Sequence, residues 1–574
     1  MILNLYFLIV LLIASIAFIG DIIIYLLNLS YGISIIISTI LVFIILYFSI
    51  KNKKLKVTLD FEKTDIYLFI VMFFVSIITG IVYPDYTYDT ISYHSYLQEN
   101  PFIDKVNFDF FPGRIFCMFL FPLGDRMYYI IRVLFGYRFG AMLSFFSPIV
   151  LFYQTKKILK ILTNKSKICS MASYFIFLIT SYSIFIGTYY IDCLCIIFTL
   201  QILVSIYENN DIFKNKYKLY FLGLISGIAI AIKITQIFFI IPLYLFLIYK
   251  NRKDLKEIHF KNIVVFGILN VLPCIVYMLD NYIQTGSILF PYYNAIFKSE
   301  YFGNYNWVDE RFGIDGIISK IFWPLKKISA NKYGDELVYI DIFFSLYFIG
   351  TICYFIYALI KHKRNEIFEL TILALILDFM WIEFLEGYFR YGSFVGIVFG
   401  IINLSIIVRY IDLKLNGRKC FQSDVYKVSI IIVIFILIVW LITSCDFKNG
   451  TKIFKDKNNP EFEITIDGVW GASYDCVGII SLVRKDNTPI YNLHREYFES
   501  SEKALNLWED KINNNEIYTI IDWYGENLED NLRVKNLNHD GFEIDSIVKR
   551  YTADEIPYIN TNGEWLLVKL KYVN

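Results

Sequence analysis

The sequence has almost no net charge, few histidines and no paired cysteine motif. Its 54 basic and 53 acidic residues leave a formal charge of +1, which gives no support for nucleic-acid binding. The nine cysteines show no CxxC or zinc-ligand spacing, which argues against a structural zinc domain. Cys445 and Cys476 fall in the polar C-terminal part, where they would either pair or remain two free thiols.

A cleavable signal peptide is also missing. The first apolar run is too long for one and has no small-residue cleavage site, so we expect it to be a retained span. The composition is instead 57% hydrophobic and 19% aromatic, values typical of a polytopic membrane protein.

Apolar runs long enough to cross a bilayer recur along most of the chain. A span needs about 20 apolar residues, and somewhat fewer if the segment is irregular. By this criterion the sequence predicts about 13 transmembrane helices. They cover residues 2–27, 31–50, 65–83, 139–154, 169–188, 191–207, 218–232, 235–250, 262–280, 341–360, 366–382, 392–409 and 427–444.

The basic connectors set the orientation. Lys and Arg accumulate in cytoplasmic loops, and these spans put all six basic connectors on one side. The N-terminus is then cytoplasmic and the C-terminus extracytoplasmic. The pair 218–232 and 235–250 is short, and two spans turning near Lys233 keep the alternation, whereas one span would reverse it. The connectors are "KNKKLK", "TKKILKILTNKSK", "KNKYK", "KNRKDLK", "KHKR" and "LKLNGRK".

Two longer polar segments differ from simple loops. The first outer loop, residues 84–138, carries apolar stripes broken by Arg, Gly and Pro, which predicts amphipathic helices at the membrane surface. Residues 446–574 have mixed charge with short β-like runs and a helical stretch, which predicts a small α/β domain outside the membrane. The fold class is therefore an all-α polytopic membrane protein with a C-terminal α/β domain. The predicted division is an N-terminal hairpin, 1–60, a transmembrane catalytic domain, 61–445, and a soluble domain, 446–574.

The first outer loop begins with an acidic and aromatic stretch, "YPDYTYDTISYHSYLQENPF" at 83–102. Pro84 and the Asp/Thr cluster predict a helix start, so Asp89 and Tyr93 share a face with His94 beside them. A carboxylate there can act as a general base. Taken alone, Asp89 is also explained as a helix cap.

Three other outer segments carry isolated charges at the ends of spans. Asp192 begins the span 191–207, and Lys233 stands between two apolar stretches. Ionisable groups there are costly and often functional, although Asp192 could cap a helix and Lys233 could extend to the interface. Glu386 and Arg390 flank a turn and could pair with each other, or Arg390 could bind phosphate through its planar fork.

Jointly, these residues suggest a site. Two acids, a lysine and an arginine from four separate turns fall on one predicted membrane face. An acid that accepts a proton, together with cations that bind phosphate, suits group transfer from a lipid phosphate.

Short motifs in these segments resemble those of the GT-C superfamily of membrane glycosyltransferases. This superfamily includes protein O-mannosyltransferases, aminoarabinose transferases and oligosaccharyltransferase catalytic subunits. The resemblance covers roughly residues 60–410, in the order and on the side that the superfamily uses. The motifs are Asp89-Thr90-Ile91-Ser92-Tyr93-His94, "TYYID" at Thr188–Asp192, Gly223, Gly227, Lys233 and Thr235, "TGSILFPYYN" at Thr285–Asn294, and "RYGSF" at Arg390–Phe394.

The resemblance implies transfer of a hexosyl or pentosyl group, with inversion, from a polyprenyl-phosphate-linked donor held in membrane lipid. Asp89 would be the base, and Asp192 and His94 its catalytic partners. Lys233 and Arg390 would bind the donor phosphate. The acceptor would be an extracytoplasmic glycan, lipid or protein. Tyr93, Tyr391, Asp85 and Glu386 are the expected substrate contacts, and a divalent metal held by Asp89, Asp192 and His94 is left open as a cofactor.

The sequence departs from the superfamily in several places. Residues 2–50 form an additional hairpin, Thr90 replaces the second acid of the O-mannosyltransferase motif, and "GVWGASYD" contains only Trp470 in place of the oligosaccharyltransferase "WWD". The alternatives are a glycan repeat-unit polymerase or ligase and a polytopic transporter. The large loop of a polymerase or ligase would carry several arginines and a histidine, whereas the loop 281–340 has Arg311 and no histidine. A transporter would show polar groups near mid-bilayer and repeated halves.

Overall fold

The structure is a computed structural model of the chain. It describes residues 2–59, 65–76, 85, 87–163, 168–179, 187–209, 211–307, 314, 316–328, 332–333, 336–337, 341–415, 431, 463–473, 477–484, 488–523, 525–552 and 564–573. Most of the predicted span 427–444, Cys445 and Cys476 lie outside this part, so it does not test that span or the possible disulfide.

Helices lie in the described parts of the other predicted spans, but fewer than 13 of these helices have the length and apolarity of a span. Among the described residues, four helices are long and apolar enough to cross a membrane. A fifth span results if Phe260–Val271 and Ile275–Thr285, bent by 60°, are one crossing. The four are Leu5–Leu27, Tyr31–Lys51, Ile342–Ile360 and Ser393–Lys414. The other helices packed with these are Asp65–Ser76, Leu143–Leu162, Cys169–Tyr174, Asp192–Glu208, Lys216–Ile232, Ile237–Lys250 and Glu366–Phe384.

Three of the six basic connectors lie together at one end of the helices. Lys157 pairs with Glu208, with 2.5 Å between Nζ and Oε1. Lys214 reaches Asp254 Oδ1 at 3.1 Å, and Lys250 reaches Glu369 Oε2 at 2.9 Å. These contacts agree with the sidedness predicted from charge. The N-terminal end of Lys216–Ile232 and the C-terminal end of Ile237–Lys250 both lie at this end. The chain therefore turns near Lys233 at the opposite end, as predicted.

Glycines bring two of these helices into close contact. A Cβ atom on Gly227 would lie 2.5 Å from the backbone oxygen of Asn270, and one on Gly223 would lie 2.7 Å from that of Phe266. Small residues let membrane helices approach until backbones touch. The glycine motif thus fixes the helix Lys216–Ile232, which ends at Lys233, against Phe260–Val271.

The first helix of the N-terminal hairpin is part of the main core. Phe7 and Val10 are buried with the other helices. Asp21 accepts hydrogen bonds from Arg126 Nε at 3.0 Å and from the Tyr277 hydroxyl at 2.7 Å. This buried network joins the hairpin to the first outer loop and to the helix Ile275–Thr285.

The C-terminal part is an α/β domain, as the sequence predicted. Its sheet has five strands in the order Ile490–Asn492, Val469–Ala472, Ile517–Trp523, Glu564–Tyr572 and Phe542–Thr552. The first three strands are parallel, and the last two pair antiparallel. Its helices are Val477–Val483, Glu502–Asn513 and Leu532–His539. Ser501 begins one of them by accepting a hydrogen bond from the Ala504 amide at 3.1 Å, an N-cap.

The first outer loop packs against this domain. Phe110, Phe111 and Met118 are fully buried in one cluster with Trp470 and Trp508 of the domain. The sequence predicted that this loop lies on the membrane surface. Residues 110–119 differ from that prediction because they are buried against the C-terminal domain. Its helices are Ser95–Glu99, Ile115–Met118, Leu123–Phe135 and Tyr137–Gly140, and exposed apolar side chains stand at 133–135.

Candidate active site

Asp89 lies where the first outer loop turns into a helix. The turn Thr90–His94 is π-helical and continues into Ser95–Glu99, and such turns occur frequently at functional sites. The Asp89 side chain forms no capping hydrogen bond. Its Oδ2 instead accepts from Arg390 Nη1 at 2.5 Å and from the Tyr93 hydroxyl at 3.4 Å. The capping explanation of Asp89 is therefore wrong.

Asp85 anchors this turn to the segment before Asp192. Its Oδ1 accepts from the Thr87 amide at 2.9 Å, and its Oδ2 accepts from the Thr90 hydroxyl and the Tyr189 amide, both at 2.7 Å. Asp85 was predicted to contact substrate. Because its carboxylate is buried and already accepts three hydrogen bonds, the structure favours a positioning function for it.

Asp192 lies between the two predicted phosphate-binding cations. Its Oδ1 accepts from Lys233 Nζ at 2.6 Å, and its Oδ2 lies 3.7 Å from Arg390 Nε. Asp192 and Lys233 come from the ends of different helices, and both are mostly buried. Lys233 is thus held by a carboxylate and does not extend into water. Together, Asp89, Arg390, Asp192 and Lys233 form one row of alternating charge.

Tyrosine rings surround the two cations. Lys233 Nζ lies 4.0 Å from the centre of the Tyr391 ring. The Arg390 guanidinium lies 5.0 Å from the Tyr190 ring and 5.6 Å from those of Tyr388 and Tyr391. Ring faces stabilise partly desolvated cations. The sequence predicted Tyr391 at the site but not Tyr190 or Tyr388, whose motif positions carried no separate signal.

His94 is oriented by an acid that the sequence analysis missed. Its Nδ1 lies 2.8 Å from Asp125 Oδ1, and both side chains are almost fully buried. The His94 ring packs on Tyr93, with 4.1 Å between centroids. A carboxylate on one ring nitrogen fixes the orientation and tautomer of a histidine. In the sequence, Asp125 is one charge within an amphipathic stretch, so no local pattern distinguished it from a surface charge.

The electrostatics of the two acids in this loop differ. Burial opposes ionisation of Asp89, but Arg390, His94 and Lys233 outweigh it, so the pKa of Asp89 lies below its ordinary value. Burial raises the pKa of Asp125, and the attraction of His94 offsets only part of that rise. Asp89 is therefore a carboxylate at neutral pH, stabilised chiefly by one arginine.

The placement of these groups does not favour a metal at Asp89, Asp192 and His94. Both carboxylates face cations, and His94 Nδ1 faces Asp125. In the described part of the chain, no group of three or more His, Cys, Asp or Glu side chains is arranged to hold a metal ion.

Glu386 lies in the turn that leads to Arg390. Its backbone is left-handed, with φ of +52°, and the next residue, Gly387, is also left-handed, with φ of +63°. The suggested Glu386–Arg390 pair is replaced by contacts from Arg390 to Asp89 and Asp192.

The fold and site define a polytopic helical protein that brings acids and cations together where several helices end. No protein-family model matches the chain. No curated protein matches it either. Among solved structures, it is similar to the oligosaccharyltransferase of Archaeoglobus fulgidus, determined in complex with zinc and sulfate. The match has 14% identity and a TM-score of 0.41, and covers 79% of this chain and 67% of the other.

Proposed function

We propose that this protein is a membrane glycosyltransferase that moves a sugar from a polyprenyl-phosphate donor to an acceptor outside the cytoplasm. The observation that carries the proposal is the row of Asp89, Arg390, Asp192 and Lys233. Four separate segments supply these groups, and they meet at helix ends. A donor with its tail among the lipids would present its phosphate at this depth.

The acid Asp89 and the cations Lys233 and Arg390 have different functions in this reaction. An acceptor hydroxyl attacks the anomeric carbon, the carbon–oxygen bond to phosphate breaks, and the hydroxyl proton passes to the Asp89 carboxylate. Lys233 and Arg390 stabilise the charge that grows on the leaving phosphate. A single displacement of this kind inverts the anomeric configuration. Hexosyl and pentosyl donors both fit this scheme.

The contacts of Arg390 suggest how the donor prepares the base. In the structure, Arg390 donates to Asp89 at 2.5 Å, which lowers the basicity of that carboxylate. A phosphate that attracts Arg390 away would raise the proton affinity of Asp89 at the moment an acceptor needs it. His94, held by Asp125, lies beside Asp89 and orients the acceptor or relays the proton.

The test uses the full chain in lipid nanodiscs, with polyprenyl-phosphate hexose or pentose labelled in the sugar and an envelope extract as acceptor. We expect Asp89→Asn to lower transfer by about 10²–10⁴-fold, the usual contribution of a general base, while the protein remains folded. Binding of a fluorescent polyprenyl phosphate is expected to survive Asp89→Asn and to weaken in Lys233→Ala. Transfer by Asp89→Asn at the wild-type rate would remove Asp89 as the base.

A further inference from the structure

A cluster of aromatic side chains lies at the junction of three outer segments. Its members, here called the aromatic cluster, are Phe116, Tyr292, Trp307 and Tyr497. Phe116 and Trp307 stack, with 4.6 Å between centroids and 18° between planes. Tyr292 meets Trp307 edge-on at 5.8 Å, and Tyr497 meets Phe116 edge-on at 6.0 Å. All four residues are only partly buried.

The aromatic cluster joins the membrane part to the C-terminal domain. Phe116 belongs to the first outer loop, Tyr292 and Trp307 to the segment after Ile275–Thr285, and Tyr497 to the domain. The Tyr292 hydroxyl donates to the backbone oxygen of Phe116 at 2.9 Å, which fixes two of the segments together. The proposed donor site at Asp89 does not include this surface.

Arg114 lies two residues before Phe116 in the chain and contacts Tyr88, the residue before Asp89. Its Nη2 donates to the Tyr88 hydroxyl at 2.6 Å, and its guanidinium lies 5.0 Å from the centre of the Tyr88 ring. Tyr88 immediately precedes Asp89 and is 39% exposed. Against the effect of burial, Tyr88, Tyr497 and Asp89 all raise the pKa of Arg114.

We propose that the aromatic cluster and Arg114 bind a carbohydrate acceptor. Pyranose rings offer flat C–H faces and outward hydroxyl groups. Aromatic rings with a few polar groups match such a ligand, because the rings cover the C–H faces while Arg114 and the tyrosine hydroxyls meet the hydroxyls. The inference rests on the proposed function and narrows its acceptor to a glycan. A lipid acceptor would approach along the helices, whereas Tyr497 stands on the domain beyond them.

The experiment measures glycan binding separately from transfer. The probe is water-soluble carbohydrate released from the envelope of the source cells and end-labelled with a fluorophore. Its polarisation is followed as the full chain in nanodiscs is added. We expect Trp307→Leu and Arg114→Gln to bind at least about tenfold more weakly, since aromatic and arginine anchors dominate recognition. Trp307→Phe keeps a ring and is expected to lose less than Trp307→Leu.

Matched variants separate the outcomes. Tyr305→Ala removes a half-exposed ring of the same segment outside the aromatic cluster and is expected to bind like wild type. Asp89→Asn is expected to bind the probe normally, so a failure of the base assignment leaves the glycan site standing. No binding of the probe by wild type, or equal binding by Trp307→Leu, would overturn the acceptor inference.

Discussion

Arg390 contacts both acids of the candidate site. It lies 2.5 Å from Asp89 and 3.7 Å from Asp192, and three tyrosine rings surround it. A guanidinium has five donors in a planar fork, so Arg390 can pass from the Asp89 carboxylate to a phosphate and keep its contact with Asp192. A lysine at this position would lack the paired, coplanar donors that suit a carboxylate or a phosphate.

The pair of Asp89 and Arg390 predicts a pH-dependent coupling. The folded pKa of Asp89 is lowered, so its contribution to stability is complete above the ordinary carboxyl value, about 3.9, and is lost as pH falls through the lower folded value. A double-mutant cycle with Asp89→Asn and Arg390→Gln is expected to give about 0.5–3 kcal/mol at pH 6. Thermal unfolding at pH 6 and at pH 3 checks this.

An exposed pair in the same chain is the control for that cycle. Arg495 and Glu499 are about half exposed, so their coupling is expected to be close to zero at both pH values. A coupling between Asp89 and Arg390 that grows as pH falls would contradict the assignment of a charged Asp89.

Asp125 is predicted to act through His94. Asp125→Asn keeps the shape of the side chain but removes the charge that orients His94, and we expect roughly tenfold or more loss of transfer. A merely structural contribution would lower the amount of folded protein and leave the pH–rate profile unchanged. An altered profile at normal folding supports the positioning function, and an unaltered profile would contradict it.

The helix that ends at Lys233 depends on a backbone contact. Gly227→Ala would put a Cβ 2.5 Å from the Asn270 oxygen, which forces the two helices apart. We expect about 1–3 kcal/mol of destabilisation and weaker donor-phosphate binding, because Lys233 moves with the helix end. The matched control is Gly267→Ala in the facing helix, where a Cβ meets nothing within 4 Å. Equal thermal stability of the two variants would exclude the close contact as the cause.

Local patterns predicted the charged ends of the helices but not their partners. Asp89, Asp192, Lys233 and Arg390 stood out because charge at the end of an apolar run is costly. Asp125 did not, since a charge in an amphipathic stretch looks the same whether it faces water or a histidine. The packing of the C-terminal domain on the first outer loop could not be predicted either, because contact between distant segments leaves no periodic pattern in either sequence.

The C-terminal domain is held to the first outer loop by a buried ion pair. Arg484 Nη1 lies 3.1 Å from both carboxylate oxygens of Asp109, and Asp109 also accepts from the Tyr96 hydroxyl at 2.8 Å and the Ile490 amide at 2.9 Å. The Asn492 amide donates to the Phe110 oxygen at 3.0 Å. The loop that carries Asp89 is therefore shaped by the domain.

Breaking this ion pair is expected to free the loop. Arg484→Gln leaves the buried Asp109 charge without its cation, which typically costs about 3–5 kcal/mol. We expect faster proteolytic cleavage within 101–120 and a loss of transfer, while the helices of the membrane part stay folded. Arg495→Gln, on an exposed arginine of the same domain, is expected to cleave at the wild-type rate. Equal cleavage of both variants would show that the domain does not hold the loop.

This arrangement has a consequence for the order of biosynthesis. The strand Glu564–Tyr572 lies between two others in the sheet that covers the run 110–119, yet it is translated hundreds of residues later. Phe110 and Phe111 therefore leave the ribosome long before Phe498, which packs against both rings, is made. Until the domain is made, these two rings lack that cover, and the loop that carries Asp89 reaches its final packing only afterwards.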